Sequence, residues 1–135
     1  AGRKRNEREG YMEKITLLYI DDEPDSLTTV KIGLEDRGYE VLIAENGADA
    51  LELLKTHTPD VIITDLRMAP MNGFELFQEV KKMSRFADTP FFFLTAVDDY
   101  LAQKYGHTLG VDAYLTKPIE LEYFDSFIKK KLSKT

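Results

Sequence analysis

The stretch Val61-Ile62-Ile63-Thr64-Asp65 decides the fold. Mostly β-branched residues run directly into one carboxylate. A continuous apolar run of this length is the pattern of a strand buried on both faces, as in a parallel sheet. The carboxylate is expected just past the carboxyl end of that strand. In open α/β sheets that edge is where ligands bind.

Working outward, the same alternation repeats on both sides. Before this stretch, Ile15–Ile20 reads as a strand ending at Asp21-Asp22, and Pro24-Asp25 opens a helix. Leu27, Val30 and Leu34 share one face of that helix, and Gly38 stops it. Tyr39–Ile43 reads as the next strand, and Ala48–Lys55 as a short helix with Ala50, Leu51 and Leu54 inward. After the stretch, Gly73–Met83 reads as a helix carrying Phe74, Phe77 and Val80. Phe91–Leu94 is a strand, Tyr100–Tyr105 a weaker helix and Ala113–Leu115 a short strand. Ile119–Leu132 is the last helix, with Phe124, Phe127, Ile128 and Leu132 at helical spacing.

Five strands alternating with five helices predict an α/β, doubly wound parallel sheet with helices on both faces. Right-handed crossovers limit its topologies, and the flavodoxin-like strand order 2-1-3-4-5 fits this count.

The chain has 135 residues, enough for one domain with a proper core and too few for two. Residues 14–135 are read as that domain. Residues 1–13 lack periodicity and read as a disordered leader, an expression remnant or the tail of a preceding segment. Cysteine is absent, which excludes a disulfide framework and thiolate metal sites. The apolar runs are too short for a membrane span, and the charged N-terminus is not a secretory signal. The net charge is −6, and Arg3, Lys4, Arg5 and Arg8 leave the rest of the chain more acidic still. An acidic body is a poor nucleic-acid surface, so no direct nucleic-acid or membrane partner is expected.

The strand ends carry the chemistry. Strand 1 ends in Asp21-Asp22, strand 3 in Asp65 and strand 4 in Thr95; Lys117-Pro118 follows strand 5. Strand 2 ends plainly in Ala44, as suits an edge position. Neighbouring strands lie about 4.8 Å apart, so in the order 2-1-3-4-5 Asp22, Asp65 and Thr95 share one pocket within reach of Lys117. Three carboxylates in one pocket repel one another, and a hard divalent cation such as Mg2+ resolves that conflict. Aspartate is a covalent nucleophile in phosphoryl transfer and needs no general base. Positioned cations stabilise the transferred group, and Lys117 supplies one as a mobile point charge. Thr95 offers a hydroxyl donor.

This ordered set resembles a response-regulator receiver domain of two-component signalling, over roughly residues 14–133. The motifs that carry the resemblance are Asp21-Asp22-Glu23, Asp65, Thr95-Ala96 and Tyr114-Leu115-Thr116-Lys117-Pro118. The resemblance implies that Asp65 is the phosphoacceptor. Asp22, Asp65 and the backbone carbonyl of Arg67 would bind Mg2+ directly, and Asp21 would act through water. Lys117 would pair with the phosphoryl oxygens, Thr95 would move toward them, and Tyr114 would turn inward behind it. The Lys117-Pro118 peptide would be cis. The implied module is cytoplasmic and catalyses only its own phosphorylation and dephosphorylation. Its implied donor is a histidine kinase or histidine phosphotransfer protein. The downstream effector is unspecified, and a homodimer through the last two helices is compatible with the pattern. One departure stands out: the family's usual proline four residues after the acceptor is Ala69 here, and Pro70 follows it.

Blander readings exist for each residue taken singly. Asp21 and Asp22 would serve as N-caps, Asp65 as a turn residue, Thr95 as a strand-end hydroxyl and Lys117 as a solvated loop lysine. Three other functions compete. A flavodoxin-like cofactor module needs a hydroxyl- or glycine-rich phosphate loop after strand 1, where this chain is acidic. A haloacid-dehalogenase-type phosphohydrolase needs a second aspartate two residues after its nucleophile; at that offset from Asp21 stands Glu23. A degenerate receiver serving only for docking would lack acceptor-site residues, and all are present. Walker and dinucleotide fingerprints are absent.

Overall fold

The computed structural model describes residues 14–96, 99, 104 and 113–133. The sheet is parallel and five-stranded, in the order β2-β1-β3-β4-β5. Its strands are β1 (Thr16–Ile20), β2 (Glu40–Ala44), β3 (Val61–Asp65), β4 (Phe91–Thr95) and β5 (Ala113–Thr116). Among the described residues the helices are α1 (Pro24–Asp36), α2 (Gly47–Leu53), α3 (Gly73–Lys81) and α4 (Leu121–Ser133), and a 3-10 turn spans Ser84–Phe86. Of the helix expected over Tyr100–Tyr105 only Lys104 is described, and it is helical; the leader lies outside the described residues.

Side chains alternate across a strand, so each strand feeds two cores. Leu18, Ile20, Ile62, Phe91 and Phe93 pack with Ala50, Leu54, Leu76, Phe77 and Val80 under α2 and α3. Leu17, Val61, Ile63, Phe92 and Leu94 pack with Leu27, Leu34, Phe124 and Ile128 under α1 and α4. The three consecutive phenylalanines thus divide between the two layers. Phe91, Phe93, Phe77 and Phe74 meet edge to face at centroid distances of 5.0–6.0 Å, the arrangement that ring quadrupoles favour.

Helix ends follow local chemistry. Asn72 and Glu75 form a reciprocal capping box at the start of α3. Asn46 accepts from the Asp49 backbone N–H at the start of α2. At the end of α1 the Gly38 N–H donates to Glu35 O and the Tyr39 N–H to Leu34 O, a Schellman turn. It requires the φ of +97° that Gly38 adopts. That turn absorbs Tyr39, so β2 begins at Glu40, one residue later than the sequence pattern predicts. Likewise Asp65 and Thr95 are the last residues of their strands rather than the first beyond them. Among the described residues, no helix is long and apolar enough to cross a membrane.

Candidate functional site

The register sets the strand ends side by side: Ile20 pairs with Thr64, Asp65 with Leu94, and Thr95 with Thr116. The residues expected at the site are therefore delivered to one rim. Carboxylate oxygens of Asp21, Asp22 and Asp65 lie within 4.8 Å of one another. Lys117 Nζ stands 3.1 Å from Asp65 Oδ2 and 3.9 Å from Asp21 Oδ2. The Lys117-Pro118 peptide is cis, as the resemblance implied, and Ala69-Pro70 is cis as well.

Asp21 is fully buried, Asp65 is 5% exposed, and Asp22 is open to solvent. Burial pushes the Asp65 carboxyl above its usual range; Lys117 opposes this and Asp21 reinforces it. Burial alone would lower the Lys117 ammonium, but its bond to Asp65 and the charges of Asp65, Asp21 and Glu23 outweigh that, and it is raised. The pocket thus holds more negative than positive charge. Its oxygens suit Mg2+, whose octahedral ligands at about 2.1 Å place opposite oxygens about 4.2 Å apart. The residues present fit such an ion.

Thr95 is buried at the rim, and its hydroxyl donates to Ala96 O at 3.4 Å. Tyr114 is half-buried, its ring 5.7 Å from that of Phe93, and burial pushes its hydroxyl up to about 12. Arg67 projects from the loop after β3, and its guanidinium forks onto Asp99 at 2.8 and 2.9 Å. That ion pair joins the loops after β3 and β4.

Two participants escaped the sequence reading. Asp99 carried no motif, because its partner stands 32 residues away. Tyr19 donates its hydroxyl to Asp21 Oδ2 at 2.7 Å. The signal for it was present: residues two apart on a strand point to the same face.

Comparison with known proteins agrees with this geometry. The family model described as "Response regulator receiver domain" matches residues 17–129. The response regulator Rre1 of Synechocystis sp. is 32% identical over 123 residues, covering 90% of this chain and 53% of Rre1. Protein PilH of Pseudomonas aeruginosa is 33% identical over 106 residues, covering 78% of this chain and 88% of PilH. A putative response regulator from Chloroflexus aurantiacus superposes with a TM-score of 0.84 at 30% identity, covering 90% of this chain and all of that one. The chain spans about half the length of Rre1 and of several other curated relatives. By family match, relatives and superposition, the chain belongs to the response regulator receiver domains, the phosphoacceptor modules of two-component signalling.

Proposed function

We propose that Asp65 is the phosphoacceptor of this domain, charged by a phosphohistidine on a histidine kinase or histidine phosphotransfer protein. The observation that carries the reading is the 3.1 Å contact of Lys117 Nζ with Asp65 Oδ2 inside the cluster of three carboxylates. An oxygen of Asp65 attacks phosphorus, an O–P bond forms, and the P–N bond to the donor imidazole breaks with its electron pair leaving on nitrogen. Lys117 follows the charge onto the transferred group as a point cation. The Thr95 hydroxyl exchanges its long bond to Ala96 O for a phosphoryl oxygen. Tyr114, packed on Phe93 directly behind β4, turns toward the space this opens. Two-state elements biased by such a local charge change are the usual switch device.

Asp22, Asp65 and the Arg67 backbone carbonyl would hold Mg2+ directly, with Asp21 acting through water. When bound, the ion neutralises charge on the acceptor and on the phosphoryl oxygens. Residues 14–135 form the receiver unit, which catalyses only its own phosphorylation and dephosphorylation. Cytoplasmic placement follows from a kinase or phosphotransfer donor.

Intact mass after incubation with acetyl phosphate tests the reading. One phosphoryl adduct is expected with Mg2+ and none with a chelator. An unmodified protein under both conditions would contradict it.

A further inference from the structure

We propose that Tyr19 is a positioning residue for the divalent cation, its hydroxyl locking the Asp21 carboxylate in the orientation that the cation's water shell requires. The inference rests on the reading of Asp21 as a ligand through water, and it concerns a residue outside the acceptor motif.

The geometry is specific. Tyr19 is 1% exposed and Asp21 fully buried. The Tyr19 hydroxyl donates to Oδ2 at 2.7 Å, and the Glu23 backbone N–H donates to Oδ1 at 3.0 Å. An ionised carboxylate offers about four lone-pair positions. Two are thus taken by protein donors, one on each oxygen, and one on each oxygen remains free. Asp22 and Asp65 lie within 4.8 Å of Asp21, and Lys117 Nζ lies 3.9 Å from Oδ2. Rotation of the carboxylate would break both bonds and leave a buried hydroxyl without its partner, so the orientation is fixed.

Packing does not explain the hydroxyl. Tyr19 sits in the apolar layer with Leu17, Ile63, Phe92 and Leu94. The ring fills that place, and phenylalanine would fill it as well. What tyrosine adds is one donor, aimed at one acid of the cluster. Groups that orient metal ligands in this way typically account for about 10- to 100-fold in metal affinity.

Calorimetric titration with MgCl2 tests this without any phosphoryl donor, on the wild type, Tyr19→Phe, Asp21→Ala and the double variant. Tyr19→Phe is expected to weaken Mg2+ binding by about 10-fold or more. In the Asp21→Ala background the same replacement is expected to change nothing, because Tyr19 acts only through that carboxylate. A general loosening of the fold would instead add its loss in both backgrounds. Unchanged affinity in Tyr19→Phe, or an equal loss in both backgrounds, would overturn the proposal. Should Tyr19→Phe fail to fold, Tyr19→Leu carries the same comparison. Failure of both would make Tyr19 a packing residue and overturn it too. A wild type that binds Mg2+ yet takes no phosphoryl group defeats the acceptor reading and leaves this one standing.

Discussion

Asp65 pays for its position in the fold. Its carboxyl is raised by burial and by Asp21, with Lys117 only partly compensating. A carboxyl whose folded pKa is raised weakens the fold as pH rises from the unfolded value through the folded one. Asp65→Asn is therefore expected to be more stable than the wild type at neutral pH without metal. The gap should narrow as pH falls into the ordinary carboxylate range, and urea unfolding at several pH values reads it. Mg2+ should stabilise the wild type and act less on Asp65→Asn, because a ligand stabilises only the state that binds it. Asp125 behaves oppositely. The Tyr39 hydroxyl donates to it, Arg37 and Lys129 stand 3.9 and 3.4 Å away, and its carboxyl is held below the usual range. Its contribution is present above the unfolded carboxylate value and is lost as pH falls through the folded one. Asp125→Asn should therefore lose less stability on acidification than the wild type, again read by urea unfolding.

At the level of elements, the helix α3 and the loop before it hold Asp65 in place. A Cβ on Gly73 would lie 2.8 Å from the Asp65 carbonyl oxygen and 3.0 Å from Leu66 Cα, both backbone atoms. Gly73→Ala is expected to destabilise by about 1–3 kcal/mol through overpacking and to slow phosphoryl uptake. At Gly33 the clash is with the flexible end of Leu121, at 2.3 Å from Cδ1. There the helix-propensity gain of about 1 kcal/mol from alanine offsets the shift, so Gly33→Ala should melt near the wild-type temperature. Asn72→Ala should cost about 1 kcal/mol by removing the capping box. The Arg67–Asp99 pair spans the loops after β3 and β4. Arg67→Ala should open that crossing and shorten the life of the acyl phosphate, measured as adduct decay in the mass spectrum. That lifetime is expected to depend on Val97 as well, a residue outside those described.

For the whole molecule, the strand order was legible because apolar runs such as Val61–Thr64 and Phe91–Leu94 cannot be placed except between two helical layers. Their polar endings then had to share a rim, and Asp21, Asp22, Asp65, Thr95 and Lys117 do so. Boundaries were less legible. Tyr39 reads as strand because it is apolar and precedes Glu40-Val41, yet the turn at Gly38 claims its backbone. Leu76, not among the apolar residues read for that helix, is fully buried in α3, whereas Phe74, which was, is only partly covered. Distant side-chain pairs away from the strand-end rim were illegible. Tyr39 and Asp125 are 86 residues apart, and no periodicity links them.

The central claim is that Asp65 receives the phosphoryl group while Lys117, Thr95 and a cation held by the acidic cluster close around it. A crystal structure of the protein with Mg2+ and beryllofluoride addresses this most directly. Beryllium is expected bonded to a carboxylate oxygen of Asp65, with fluorines contacted by Lys117 Nζ and the Thr95 hydroxyl, and Mg2+ beside Asp22. Beryllofluoride seated on another residue, or an Asp65 left bare with Lys117 still against it, would contradict the account.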